Sequence, residues 1–143
     1  MTYWRLFYHI VWATKNREPL IQQGFEADLW RVLVGKATDL GALVHAVGGV
    51  EDHVHVVASV PPKIALSEFV QQLKGSSSHF VSHRPGAIDP FAWQPKYGVL
   101  SFDGKQLDQM VKYVRNQREH HRGSSKISIL EKSAGEPRGI GDK

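Results

Sequence analysis

The first part of the chain alternates two sets of side chains with the period of a β-strand. Over residues 2–14 one face would carry Trp4, Leu6, Tyr8, Ile10 and Trp12, and the other Arg5, Phe7, His9 and Val11. Residues 42–50 and 53–60 predict two further strands joined by a short acidic turn. Residues 98–102 predict a fourth strand. The chain therefore contains four candidate strands, of which the second and third form a hairpin.

Three other segments space their apolar side chains three and four residues apart, as an amphipathic α-helix does. They cover residues 25–40, 67–82 and 106–121. Gly41 ends the first of them, because glycine readily adopts the backbone conformation that closes a helix. The order of elements is then β-α-β-β-α-β, followed by one more helix.

This order is that of the ferredoxin-like fold, an α+β arrangement with an antiparallel sheet. We expect the first two helices to cover one face of that sheet and the opposite face to stay free. We also expect a single domain over residues 1–122. Residues 123–143 are polar and rich in glycine, and they predict a C-terminal tail outside the domain.

The composition narrows the class of protein. Of the 143 residues, 41% are hydrophobic and 22% are charged, which is typical of one globular domain and excludes a wholly disordered chain. The absence of cysteine excludes a disulfide scaffold and a cysteine-ligated metal site. No apolar run reaches membrane-spanning length, and the first residues lack the regions of a secretion signal. We therefore expect a cytoplasmic protein without a membrane partner.

The net charge of +4 is concentrated in the second half of the chain. Residues 1–62 carry 5 Lys and Arg against 6 Asp and Glu, whereas residues 63–126 carry 10 against 5. The densest basic cluster consists of Lys112, Arg115, Arg118, Arg122 and Lys126. Such a cluster fits a solvated helix face, and it equally fits a surface that binds the phosphates of a nucleic acid.

Two histidines stand out in the third predicted strand, as His53-Val54-His55. Alternate side chains of a strand project to the same side, so both histidines share the face that the helices are expected to leave free. Their Cα atoms would lie about 7 Å apart, close enough for both imidazoles to bind one metal ion. Asp52, directly before them, is placed to orient an imidazole. The simpler alternative is a hydrogen-bonded histidine pair on a half-exposed sheet face.

The third predicted helix carries an apolar stripe and, about a quarter turn away, a polar one. They consist of Leu107, Met110, Val111 and Val114, and of Tyr113, Gln117 and His120. A phenol has a pKa near 10 and attacks at neutral pH only beside a metal ion or another cationic group. The helix and the histidine strand together supply the parts that a phosphodiester reaction needs. A tyrosine beside an apolar stripe is, however, also a common boundary residue.

The two motifs together resemble those of the HUH-type single-tyrosine transposases, which move single-stranded insertion sequences. The name HUH denotes histidine, a hydrophobic residue and histidine, here His53-Val54-His55. The family's later tyrosine, with a glutamine four residues on, is matched by Tyr113 and Gln117. The segment from Trp93 to Gly98 resembles the REP-associated branch of the family. The resemblance spans about residues 2–122.

The resemblance implies a fold, a reaction and a set of partners. The family has a ferredoxin-like sheet with the HUH strand at its centre. Tyr113 would attack a phosphodiester of single-stranded DNA, leaving a 5′-phosphotyrosine link and a free 3′-hydroxyl that later reverses the reaction. His53, His55 and Gln117 would hold Mg²⁺ or Mn²⁺, which polarises the scissile phosphate. The expected substrate is single-stranded DNA bearing hairpins, and the expected assembly is a homodimer.

One residue departs from the family's pattern. Many members have proline before the aspartate of the HUH strand, where this chain has Glu51. The added negative charge near the ligands is compatible with metal binding. Because imidazole is an unusual ligand for Mg²⁺, we expect Mn²⁺ to be the better metal in vitro.

Basic residues outside the motifs predict the DNA-binding surface. Within the basic second half of the domain we expect phosphate contacts from Lys74, Arg84, Lys112, Arg115 and Arg118.

Two other functions fit parts of the sequence. A non-catalytic single-stranded nucleic-acid-binding module would stack bases on sheet aromatics, with Tyr3, Phe7 and Trp93 as candidates. A nucleotide hydrolase of the histidine-triad kind would need a third alternating histidine, and Val57 stands at that position.

Overall fold

The computed structural model describes residues 2–87 and 90–117. The strands are β1 (Phe7–Ala13), β2 (Leu43–Val50), β3 (His53–Ser59) and β4 (Gly98–Phe102), and the helices are α1 (Gln23–Asp39), α2 (Leu66–His83) and α3 (Leu107–Arg115). Two short 3₁₀ turns follow β1 and precede α3. The predicted order of elements and the α+β class are confirmed.

The first strand is shorter than predicted. It begins at Phe7 rather than at residue 2, because Phe7 pairs with Ser59 on β3 and with Phe102 on β4, where both neighbouring strands end. Residues 2–6 continue the alternating pattern, but they have no neighbouring strand to pair with. The sequence predicts the third helix over residues 106–121, whereas α3 ends at Arg115, and residues 118–121 lie outside the described residues. The predicted boundary at residue 122 and the tail over 123–143 lie outside them as well.

The four strands form one antiparallel sheet in the order β2-β3-β1-β4. The histidine strand β3 is therefore internal, paired with β2 on one side and β1 on the other. Ile10 and Trp12 of β1 and Val54, Val56 and Ala58 of β3 point to the face that α1 and α2 cover. They pack with helix residues such as Leu33, Phe69 and Leu73 in the main core. No helix within the described residues combines the length and apolar composition needed to cross a membrane.

The expectation that the opposite sheet face stays free is wrong. Helix α3 packs on this face over β2 and β3, where Val114 and Tyr113 join Ala46 and Val57 in a second apolar cluster. Gly48 permits this close approach, because a Cβ atom there would lie 2.1 Å from the backbone oxygen of Val114. The third helix thus covers the part of this sheet face that carries the histidines.

Candidate active site

His53 and His55 lie side by side beneath α3 and are fully buried. Their ring centroids are 5.0 Å apart, as expected for alternate residues on one face of β3. The half-exposed environment considered from the sequence is therefore wrong, because α3 covers the sheet there. Polar groups at such depth need hydrogen-bond partners or ligands.

Asp52 sets the orientation of His53. Its Oδ1 lies 2.7 Å from His53 Nδ1, and its Oδ2 lies 3.2 Å from the guanidinium of Arg17. Although burial acts in the opposite direction, the hydrogen bond and charge of His53, together with Arg17, lower the pKa of Asp52 below its usual value. When the His53 ring is neutral, the carboxylate accepts its Nδ1 proton, and the lone pair of the ring lies on Nε2.

A second histidine, His9, lies beside the Nδ1 atom of His55. His9 on β1 places its Nε2 2.7 Å from His55 Nδ1, and both rings are buried. The pairing of Val11 with His55 in the sheet brings the two rings into contact, with centroids 4.9 Å apart. Each motif histidine is thus held through its Nδ1 atom.

The third helix brings Tyr113 and Gln117 onto these histidines. The aromatic ring of Tyr113 packs edge-on, with its centroid 5.9 Å from that of His55 and 6.2 Å from that of His9. Gln117 donates from Nε2 to the carbonyl oxygen of Tyr113 at 3.1 Å, which turns its Oε1 toward the sheet. Both side chains are almost fully buried. The four residues of the two sequence motifs therefore lie together.

The arrangement fits a divalent metal ion. Gln117 Oε1 lies 3.4 Å from His53 Nε2 in a buried space, so the two atoms share a proton when Nε2 carries one and offer two lone pairs to a cation when it does not. Two acceptors repel in the absence of a shared proton or cation, whereas a metal ion would bind both. Among residues 2–87 and 90–117, no cluster of three or more His, Cys, Asp or Glu has the geometry to hold a metal. The amide oxygen of Gln117 could serve as the third protein ligand of a metal ion held by His53 and His55.

The predicted DNA-binding residues do not form one surface. Lys112 and Arg115 are exposed on α3, close in sequence to Tyr113 in the helix and to Gln117 just after it. Arg84 lies at the end of α2 and stacks its guanidinium over the ring of Phe25, 4.3 Å from the ring centre. Arg118 lies outside the described residues. Of the predicted DNA-binding residues that the structure describes, Lys112 and Arg115 are thus the nearest in sequence to Tyr113 and Gln117.

Lys74 is tied to the protein's own backbone. Its ammonium group donates to the carbonyl oxygens of Gln94 and Lys96, each at 2.8 Å. Partial burial lowers the pKa of Lys74 to about 8. These contacts fix the segment before β4 on α2. Lys74 therefore has a structural role, and its predicted role in DNA binding stays a prediction.

His9 and Arg17 contact the predicted site residues and were not singled out from the sequence. A signal for His9 was present, since the ferredoxin-like order places β1 beside β3 and the odd-numbered residues of both strands share one face. Arg17 lies in a turn with φ of 55°, where neither periodicity nor motif spacing locates a side chain.

The sequence and structure match known transposases. The family described as "Transposase IS200 like" matches residues 2–117. The ISDra2 transposase TnpA of Deinococcus radiodurans is 29% identical over 122 residues, which cover 81% of this chain and 86% of that protein. The transposase for insertion sequence element IS200 of Salmonella typhimurium is 27% identical over 137 residues, covering 90% and 87%.

Solved structures agree with this relationship. A structure of a candidate transposase from Deinococcus radiodurans R1 has a TM-score of 0.62 at 28% identity, covering 82% of this chain and 95% of that one. A REP-associated tyrosine transposase bound to a REP hairpin has the same fold, with a TM-score of 0.63 at 16% identity and coverages of 85% and 74%. The family match over most of the chain, together with these likenesses, confirms the resemblance drawn from the two motifs: the chain belongs to the IS200-like transposase family.

Proposed function

We propose that this transposase cleaves and rejoins single-stranded DNA that carries hairpins, with a 5′-phosphotyrosine on Tyr113 as the intermediate. The observation that carries the proposal is the convergence of His53 Nε2 and Gln117 Oε1, 3.4 Å apart, beneath the helix that holds Tyr113. The ring of Tyr113 packs against His55, so a phenol and three candidate ligands share one buried site.

Each residue has a defined task in this reaction. The phenolic oxygen of Tyr113 gives up its proton to solvent and attacks the scissile phosphorus. The bond from phosphorus to the 3′-oxygen breaks, and that oxygen takes up a proton from solvent to become a free 3′-hydroxyl. A divalent metal held by His53, His55 and Gln117 would polarise the phosphate and stabilise its developing charge. The reverse attack by a 3′-hydroxyl reforms the phosphodiester and releases Tyr113.

The substrate class rests on the relatives. The solved REP-associated tyrosine transposase, which shares the fold, is described as bound to a REP hairpin. The net positive charge of residues 63–126 suits a polyanionic strand. A homodimer is part of the same proposal, and sedimentation of the protein with and without hairpin DNA measures it.

A covalent adduct tests the proposed reaction. Purified protein is incubated with Mn²⁺ and a panel of single strands that carry hairpins and a label at the 3′ end, the end that stays on the protein, and is then denatured. We expect a labelled band of protein mass that a protease removes and that does not form in the presence of a chelator. A panel of hairpin strands that binds the protein without ever forming this band contradicts the proposal.

The non-catalytic alternative receives no support from the aromatic side chains proposed for it. Phe7 packs on Phe102 and Trp93 packs edge-on against Trp12, so both are part of packed clusters. Of the three candidates, Tyr3 alone is largely exposed, at 82%. A stacking module needs several aromatic faces open to bases.

Exposed charges on α3 give the proposal a second test. Replacing Lys112 and Arg115 together by glutamine removes two candidate phosphate contacts. We expect weaker hairpin binding at every sequence tested, with the slope of log K against log salt reduced by about 1.4 to 1.8. Fluorescence anisotropy over a range of salt concentrations measures it.

The matched control is the pair Arg31→Gln and Lys36→Gln on α1, which makes the same charge change across the sheet. An equal effect from both double variants would mean that net charge, and not a surface on α3, accounts for binding.

A further inference from the structure

We propose that His9 is a positioning residue, which holds His55 in the orientation and tautomer needed to bind the metal ion. The inference rests on the proposed function, since it concerns a ligand of the proposed metal. It extends the site to β1, a strand outside both of the motifs that identify the family.

The contact between the two histidines is short and fully enclosed. His9 Nε2 and His55 Nδ1 are 2.7 Å apart, and the side chains are 2% and 0% exposed. Two ring nitrogens at this distance share one proton, because two lone pairs or two N–H groups would repel each other. The pair therefore links the protonation pattern of one ring to that of the other.

This link selects the atom that His55 offers to a metal. When Nδ1 of His55 carries the shared proton and donates it to His9, the lone pair of His55 lies on Nε2. A flipped ring or the opposite tautomer would turn an N–H toward the ligand space. Metal-binding histidines commonly need such a partner on the second ring nitrogen.

Both motif histidines have a partner at Nδ1, and the two partners differ in charge. Asp52 accepts from Nδ1 of His53, and His9 is in the equivalent place for His55. A neutral imidazole can accept the proton without bringing a second carboxylate into the buried site. The backbone of an anionic DNA strand would be repelled by such a carboxylate. A histidine at position 9 thus orients its neighbour at lower electrostatic cost.

Two amide substitutions separate positioning from packing. The terminal amide of His9→Gln reaches the place of the histidine Nε2 and can accept from His55, whereas the shorter amide of His9→Asn cannot. Metal affinity is measured without DNA, by titrating Mn²⁺ and following the electron paramagnetic resonance signal of the free ion. We expect Mn²⁺ affinity to fall about 10- to 100-fold in His9→Asn and to recover in His9→Gln.

A direct readout of the tautomer complements the affinity. Long-range ¹H–¹⁵N correlation of the histidine rings in the metal-free protein reports which nitrogen of His55 is protonated. We expect the Nδ1–H form in the wild type and in His9→Gln, and a mixture of forms in His9→Asn. The control is His45→Asn, at a histidine on β2 that bonds to Ser59 at 2.9 Å, and it should leave Mn²⁺ affinity unchanged.

The outcomes distinguish this inference from the proposed function. A folded His9→Asn protein with wild-type Mn²⁺ affinity overturns the role of His9, as does equal loss in the Gln and Asn variants. Should His9→Asn fail to fold, wild-type affinity with a changed His55 tautomer in His9→Gln overturns it as well. If wild-type protein binds Mn²⁺ in a His9-dependent way but forms no DNA adduct, the reaction is wrong and the positioning role stands.

Discussion

The Tyr113→Phe variant should bind hairpin DNA as the wild type does and form no covalent adduct. The substitution removes one oxygen atom, and with it the nucleophile of the proposed cleavage step. Loss of a catalytic nucleophile lowers turnover on the order of 10⁴-fold or more, which takes the adduct below detection. Denaturing electrophoresis of labelled DNA measures adduct formation, and anisotropy measures binding.

Phenylalanine at position 113 keeps the packing of the aromatic ring. Its ring is 4% exposed and contacts His55 and His9 edge-on, contacts that phenylalanine preserves. Mn²⁺ affinity should also stay at the wild-type level, because the proposed ligands are elsewhere. Loss of both metal binding and adduct would mean that the phenol supports the fold of the site.

Tyr8→Phe is the matched control. Tyr8 is on β1 but faces the main core on the other side of the sheet, so the same loss of an oxygen should leave adduct formation unchanged. Peptide mapping of the wild-type adduct locates the modified residue independently. An adduct that persists in Tyr113→Phe, or that maps to another residue, would identify a different nucleophile.

The sequence predicts those parts of the site that depend on local periodicity. Alternation along β3 places His53 and His55 on one face, and helical spacing places Tyr113 and Gln117 on one side of the third predicted helix. Both inferences use residues within one element. The family resemblance then indicates that the two elements work together, and the structure brings them into contact.

The parts that were missed depend on contacts between distant segments. The face above the histidines was expected to be free, because alternation cannot tell that a third helix packs there. His9 bonds to a residue 46 positions away, and Arg17 to one 35 positions away. Lys74 looks like a free cation in sequence and is bound to two carbonyl groups of a later loop. Such roles are set by tertiary packing.

The close packing of α3 against Gly48 sets the position of the helix that carries Tyr113. It lies on β2 opposite His55, and the backbone oxygen of Val114 comes so close that a Cβ atom would lie 2.1 Å from it. The helix cannot yield by rotating a side chain, since the obstacle is its own backbone. In Gly48→Ala, α3 must therefore move away from the sheet by about 1 Å to restore an ordinary contact distance, and it carries Tyr113 and the following Gln117 with it.

We expect Gly48→Ala to lower the rate of adduct formation about 100-fold, because a displacement of 1 Å at reacting groups costs that much. His53 and His55 belong to the sheet and keep their partners Asp52 and His9, so Mn²⁺ binding should weaken less than adduct formation does. The rate is measured in single-turnover reactions with labelled hairpin DNA. Circular dichroism and thermal unfolding verify that the variant is folded.

Gly35→Ala provides the control for the substitution itself. Gly35 lies in α1, where a Cβ atom would meet nothing within 4 Å beyond the backbone of its own helix, and alanine there favours the helix by about 0.5 to 1 kcal/mol. This variant should therefore be slightly more stable and fully active. If Gly48→Ala also forms adduct at the wild-type rate, the reaction does not require the close packing of α3 on β2. The distance between the tyrosine helix and the histidine strand would then not limit the rate.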